Sequence, residues 1–288
     1  MFDVDAPIQS FLADFFAAWP FHHLSNSVKT QIAKKLRLCS FRPGELIYSP
    51  RELPSFVHCV VQGRVRILGP TSYQSPTLAI GERGTVIGWD SLLRRVSIGS
   101  VRAAIAPGAQ EILTLALAAD EFETLALKQL APVLCDRASS SELFDTLSHF
   151  LSSMPARFSE LDLKDLVQYI EQEQLVTVES YFSGKDSDTS LSLSADRIWL
   201  LSSSNHSSLP IGTPVGSVHQ LQTSHTSHAS RFPFRLLGFD RSFISSAVLS
   251  GIIPKLPASL ELAQPAFPGI TPAIPVDIAP ESLPESLP

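Results

Sequence analysis

The sequence predicts an α+β chain: a jelly-roll β-barrel flanked by helices, followed by a smaller α/β region and a Pro-rich tail. Three observations predict it. Apolar residues near the start recur with helical spacing, short apolar runs between Phe41 and Leu117 are separated by Gly and Pro turns, and prolines crowd the chain beyond Pro254. The expected boundaries are 1–153 for the barrel with its flanking helices, 154–245 for an accessory α+β region and 246–288 for the tail.

Ile8, Phe11, Leu12, Phe15, Phe16 and Trp19 fall at three- and four-residue steps, so one helix buries one stripe. Val28, Ile32 and Leu36 give a second helix the same kind of inner face. From Phe41 the period changes, and Pro43-Gly44 sets a turn directly before the short apolar strand Leu46-Ile47-Tyr48. Val57 to Val61 is continuously apolar, and Arg64 to Ile67 alternates after Gln62-Gly63, which reads as a hairpin. Thr77 to Ile80 and Ile112 to Leu117 supply further strands. Short strands with such turns favour a closed barrel or jelly roll over an open sheet.

Asp120 reads as the N-cap of a helix that carries Phe122 and Leu125 and that Pro132 terminates. Helical spacing resumes from Ser141 to Leu151. In the accessory region, Ser159 with Asp162 three residues later resembles a capping box opening a helix that buries Leu163, Leu166, Val167 and Ile170. Strand-like runs follow at Leu175 to Phe182, Arg197 to Leu201 and Arg235 to Phe239, and the polar stretches Ser202 to Ser208 and Thr223 to Ser230 read as loops. The tail's proline density and its repeat Glu281-Ser-Leu-Pro, Glu285-Ser-Leu-Pro forbid helix and sheet, leaving an extended, semi-rigid linker. A linker of this kind suggests a piece of a longer architecture or a truncated descendant of one.

Composition narrows the function classes. Net charge is −6 and no Lys/Arg cluster forms, against a nucleic-acid footprint. Only 17% of residues are charged, so the surface leans on Ser and Thr, from flexible loops or from a partner-binding face. Cys39, Cys59 and Cys135 are odd in number and widely spaced, which indicates neither a disulfide framework nor zinc and fits a reducing cytosol. Cys59 lies in a hydrophobic strand and reads as a buried, inert thiol. Asp3 and Asp5 stand where a secretory signal carries positive charge, and the apolar stretch Ser242 to Pro254 is too short to span a bilayer. The chain is therefore expected to be soluble and cytoplasmic.

Candidate chemistry is sparse. His206, His219, His225 and His228 lie in polar stretches, and His225-x-x-His228 has metal-like spacing, but no helical pattern or Cys or Asp partner supports a site. His22 and His23 follow Pro20 at a turn and read as surface residues, while His58 either alternates outward or satisfies a partner in the barrel. No G-x-S-x-G elbow and no G-x-x-x-x-G-K-[ST] loop occurs. The expectation is no catalytic residue, no metal and no cofactor.

Residues from about Phe15 to Ala131 resemble the cyclic-nucleotide-binding domain family. The matching marks are Phe41-x-Pro43-Gly44-Glu45-Leu46-Ile47, the Gly63 turn, Gly81-Glu82 and Gly88-x-x-Ser91-Leu92-Leu93. The resemblance implies a short helix whose N-terminal N–H groups cradle a cyclic phosphate, a Glu after the glycine for the ribose and an Arg for the phosphate. Here Trp89 occupies the Glu position and Ile98 the Arg position. Two lost charged partners, each worth roughly 2–5 kcal/mol, imply a degenerate pocket made of Gly88, Trp89, Ser91, Leu92, Arg94 and Ile98, with cyclic nucleotide not expected. Trp89 reads equally as pocket wall or core packing, whereas Trp199 reads as core. Arg102 should point away from the pocket if Val101 and Ala103 point in. Arg94 and Arg95 remain candidate counter-charges for another small anion.

Gly88-Trp89-x-Ser91-Leu92-x-Arg94, with Arg197-Ile198-Trp199-Leu200-Leu201-Ser202 and Arg235-Leu236-Leu237-Gly238, is similar to the N-terminal module of bacterial peptidase-containing ABC exporters. This likeness implies a non-catalytic regulatory or docking module with a protein partner, a membrane transporter, at the cytosolic face of the inner membrane. A sensor for a small anionic or nucleotide ligand is the alternative. A transcription regulator stands behind both, because Ser190 to Pro288 carries only Arg197, Arg231, Arg235, Arg241 and Lys255 against six acidic residues.

Overall fold

A computed structural model describes residues 6–50, 52–69, 76–97, 99–104, 111–152, 159–173, 175–181, 193–194, 196–204, 209–215, 234–240 and 242. Outside them lie Ile98, the histidines at 206, 219, 225 and 228, the polar stretches 205–208 and 223–230, nearly all of the apolar stretch after Ser242, and the Pro-rich tail.

Helix α1 (Ala6–Ala17) and helix α2 (Asn26–Ala33), with a short 3₁₀ turn at Phe21–His23 between them, precede strands β1 (Arg37–Phe41), β2 (Leu46–Tyr48), β3 (Phe56–Gln62), β4 (Val65–Leu68), β5 (Thr77–Gly81) and β6 (Val86–Ile87). Helix α3 (Trp89–Arg94), β7 (Ser100–Ala103) and β8 (Ile112–Ala118) follow. The strands form two four-stranded antiparallel sheets, ordered β1-β8-β3-β6 and β2-β7-β4-β5.

Alternation along β3 explains how the layers are glued. Val57, Cys59 and Val61 face the helices and join Phe15, Phe21, Ile32, Leu36 and Trp89 in one core. Val60, one step out of phase, points between the sheets to meet Val65, Ile87, Val101, Ala103 and Ile112. Cys59 is fully buried, and burial pushes its thiol up to about 12, the inert cysteine its strand predicts. His22 and His23 are exposed, as expected.

The expected hairpin at Gln62-Gly63 does not form. Both edges of β3 are occupied by β8 and β6, and both edges of β4 by β7 and β5, so the turn carries the chain from one sheet to the other. Gly63 makes this corner at φ +83°, where a Cβ would lie 2.9 Å from Ile112 Cγ1. The strand β1 is a further addition, since its mixed residues Arg37 to Ser40 carry no clean period.

After β8 the chain is helical without a break: α4 (Ala119–Glu121), a π-helical stretch (Phe122–Leu127) and α5 (Lys128–Cys135). Two expectations are corrected here. The N-cap position is Ala118, so Asp120 sits inside the first turn, and Pro132 lies within α5 instead of ending it. Leu130 and Leu134, fully buried on either side of the proline, hold that turn against the core.

Helix α6 (Ser140–Ser152) and helix α7 (Glu160–Glu173) cover an antiparallel sheet of β9 (Val176–Tyr181), β10 (Arg197–Ser204) and β11 (Phe234–Asp240), ordered β10-β11-β9. The capping box forms as read: Ser159 N–H donates to Asp162 Oδ2 at 2.9 Å and Asp162 N–H to Ser159 Oγ at 3.2 Å. Leu163, Leu166, Val167 and Ile170 are buried against Leu143, Phe144, Leu147, Leu200, Leu237 and Phe239, and Leu78 of β5 joins the same cluster. Trp199 is buried on the other sheet face with Leu201, Val215 and Leu236, a core residue as expected. Ser202 to Ser204, read as the start of a loop, instead complete β10 past a bulge at Leu201/Ser203. Among the described residues no helix is long and apolar enough to cross a membrane.

Candidate functional site

The site predicted by resemblance begins at Gly88, whose φ of +91° is left-handed. A Cβ there would lie 2.9 Å from the Phe56 carbonyl oxygen, so glycine is required both by the dihedral and by the space. The chain then makes the six-residue helix α3 and leaves it through Arg95 at φ +56°.

The side chains of α3 turn inward. Trp89 is 5% exposed and packs edge-on against Trp19, with ring centroids 5.1 Å apart; the Arg137 guanidinium lies over the same Trp19 ring at 4.7 Å. Of the two readings open for Trp89, core packing is the one observed. Leu92 belongs to the same core. Asp90 Oδ1 accepts the Ser91 N–H at 2.9 Å, and Asp90 Oδ2 accepts the Ser139 hydroxyl at 2.6 Å. A carboxylate of the chain itself thus takes an N–H of the first turn, where the resemblance would seat a phosphate oxygen. Burial raises the Asp90 carboxyl above its ordinary range despite these bonds.

Arg94 is buried and leaves the barrel. Its Nη2 donates to Asp145 Oδ2 of α6 at 3.3 Å and to the carbonyl of Ser202 in β10. Beside this pair sits Glu142, 1% exposed, which receives Arg235 Nε at 2.6 Å on one oxygen, Arg235 Nη2 at 3.2 Å on the other, and the Ser202 hydroxyl. Arg235 also donates to the carbonyls of Cys135 and Arg137. Strand parity aims it: Arg235, Leu237 and Phe239 share the β11 face that packs on α6.

Two guanidiniums and three carboxyls therefore share one buried junction of α3, α6, β10 and β11. Burial pushes the Glu142 carboxyl up, but Arg235, Arg94 and the donors on it outweigh burial and hold it below the ordinary range. For Asp145 burial wins over Arg94 and His149, and its carboxyl is raised. With two cations for three acids, the acid best supplied with donors keeps its charge most firmly. The arrangement ties α3 to the accessory sheet.

The remaining expected residues are not gathered into this junction. Arg95 is exposed and pairs with Glu123 at 2.8 Å, so the two arginines considered as counter-charges for an anion are both engaged with carboxylates. Arg102 lies half-buried between buried Val101 and Ala103, and its Nη1 donates to the Gly44 carbonyl at 3.1 Å, outward as the alternation predicts. Sequence reading missed Glu142, Asp145 and Ser139. Their signal was present: two acids interrupting the apolar face Leu143, Phe144 and Leu147 ask for buried partners. Among the described residues no cluster of three or more His, Cys, Asp or Glu could hold a metal, and the three cysteines are unpaired thiols.

No protein-family model matches the chain, and no curated protein does. Solved structures that resemble it include the regulatory domain of Toxoplasma gondii PKA with cAMP, at 11% identity and a TM-score of 0.40, covering 85% of this chain and 96% of that one. The regulatory subunit of a cAMP-independent protein kinase A from Trypanosoma cruzi bound to guanosine is 10% identical with a TM-score of 0.38, over 88% and 87%. A mutant of the Trypanosoma brucei counterpart bound to cAMP in its A site is 13% identical with a TM-score of 0.36, over 88% and 93%. The architecture of this chain rests on its own strands and helices.

Proposed function

We propose that the chain is a non-catalytic regulatory or docking module, built on a jelly-roll barrel of the cyclic-nucleotide-binding type whose pocket is degenerate. The observation that carries the reading is Trp89, packed on Trp19 inside the core at the position where the resembled family has a ribose-binding Glu. Asp90, whose carboxylate accepts a first-turn N–H, supports it by putting negative charge where a phosphate would need the opposite. The engagement of Arg94 and Arg95 with carboxylates weighs against the anion-sensor alternative. On this reading the units are 1–153, 154–245 and 246–288, the tail acts as a tether, and the partner is a peptide-exporting ABC transporter at the cytosolic face of the inner membrane.

Thermal-shift and calorimetric titration with cAMP and cGMP test the pocket. A bound ligand at 100 times its Kd adds about 2.7 kcal/mol of stability. No shift is expected, and a micromolar Kd for either nucleotide overturns the degenerate reading. Co-purification of the full chain with an exporter from membranes tests the partner separately.

A further inference from the structure

The three carboxyls in the junction of α3, α6, β10 and β11 are unevenly supplied with donors. Glu142 accepts from Arg235 Nε, from Arg235 Nη2 and from the Ser202 hydroxyl. Asp90 accepts from the Ser91 N–H and the Ser139 hydroxyl. Among the described residues Asp145 accepts only from Arg94 Nη2, at 3.3 Å, and Arg94 shares that nitrogen with the Ser202 carbonyl. Nε and Nη1 of Arg94 are buried without a hydrogen-bond partner. The Arg94 contact is therefore single-pronged where the Arg235 contact is forked.

When all three acids are ionised, the described residues of the junction bring Asp90, Glu142 and Asp145 against Arg94 and Arg235, all buried. The surplus negative charge has no water to screen it, so the closed junction favours taking up one proton, and the acid with the fewest donors is the place for it. Burial raises the Asp145 carboxyl in agreement. His149, one turn further along α6 and half-exposed, sets its Nδ1 3.6 Å from Asp145 Oδ1 and 2.8 Å from the Asp145 carbonyl oxygen, so the carboxyl lies just inside the solvent boundary. The other elements packed on α6 bring no further charge to it among the described residues. Helix α7 contributes Leu163, Leu166, Val167 and Ile170, its Glu171 turning instead to the Ser140 hydroxyl, and β5 contributes Leu78. The segment 209–215, which meets His149 at Gly212, contains no titratable residue.

We propose that Asp145 is a proton-binding site that regulates this junction: with the proton on, α6 and β10 close on α3, and its loss leaves a surplus negative charge that loosens them. The proton comes from solvent and returns to it. A carboxyl that holds its proton more tightly in the closed junction than in water favours closure below its folded midpoint, and that contribution is lost as the pH rises through the midpoint. Each unit by which the closed-state midpoint exceeds the open-state one changes the opening equilibrium about tenfold. The proposal rests on the junction and is independent of what the pocket beside Gly88 binds.

The test is a carbon NMR titration of the side-chain carboxyls of the isotope-labelled full chain, with amide hydrogen exchange measured over the same pH range. The Asp145 carboxyl should titrate with a midpoint above the ordinary 3.8. Corrected for the intrinsic chemical rate, exchange at residues 142–146 and 200–203 should quicken relative to β8 as the pH rises through that midpoint, by roughly tenfold for each unit above 3.8. Asp145→Asn keeps the shape without the titration and should remove this pH dependence. His149 acts to lower the Asp145 midpoint, so His149→Gln, at a half-exposed position, should move it further up. If Asp145→Asn does not fold, the titrations of the unaltered chain and of His149→Gln still decide. A midpoint at or below 3.8, the original pH dependence retained in Asp145→Asn, or an unmoved midpoint in His149→Gln overturns the proposal.

Discussion

Arg94 of α3 and Asp145 of α6 meet at 3.3 Å with the arginine side chain fully enclosed and the aspartate 9% exposed. This contact joins the helix nearest the expected pocket to the helix that carries the accessory sheet, 51 residues further along the chain. Removing one partner of such a pair leaves the other buried and uncompensated.

Arg94→Met is therefore expected to destabilise the protein by about 3 kcal/mol, and Arg94→Met with Asp145→Leu by clearly less. Urea denaturation of the single and double variants measures the difference. Additive losses would show that the pair is not coupled.

Arg235→Lys should cost at least as much, about 3–5 kcal/mol, although the charge is kept. A lysine cannot reach both Glu142 oxygens and the Cys135 and Arg137 carbonyls together. Chemical denaturation checks it, and a loss below about 1 kcal/mol would mean the fork geometry is dispensable.

Ser159→Ala removes the acceptor for the Asp162 N–H and should cost about 1 kcal/mol. Hydrogen exchange should speed up in the first turn of α7 before it does in α6. Uniform acceleration through both helices would contradict a local capping role.

The His58 imidazole falls from 6.5 to about 4 in the fold. The neutral form is thus favoured by folding, and this stability is present above about pH 6.5. It is lost as the pH falls through about 4, and amounts to roughly 3 kcal/mol at most. A side-chain NMR titration with a midpoint near 6.5 would contradict the burial.

Trp89→Glu puts an acid where the resemblance expects a ribose-binding Glu. It should remove about 3–5 kcal/mol by emptying the indole site against Trp19. It should create no measurable affinity for cAMP, by calorimetry on whatever fraction remains folded. A gain of binding would show that the indole alone closes the pocket.

Much of this architecture could be read locally. The stripe from Ile8 to Phe16, the Pro43-Gly44 turn, the Ser159 and Asp162 cap and the apolar runs of β8 and β11 each state their structure within a few residues, because backbone geometry and side-chain period are local properties. The misreadings came where partners compete. The turn after β3 looks like a hairpin until β6 and β8 claim both edges of that strand, and Ser202 looks like loop until Glu142 gives its hydroxyl a buried acceptor.

Alone, then, the amino-acid order settled which of these segments coil and which extend. Only the folded chain decided that Trp89 meets Trp19, that Arg94 pairs with Asp145, and that Arg235 crosses 93 residues to reach Glu142. Periodicity encodes the direction in which a side chain leaves its own backbone. What it meets there depends on how distant segments pack, and the strength of a buried charge on whether that meeting supplies a partner.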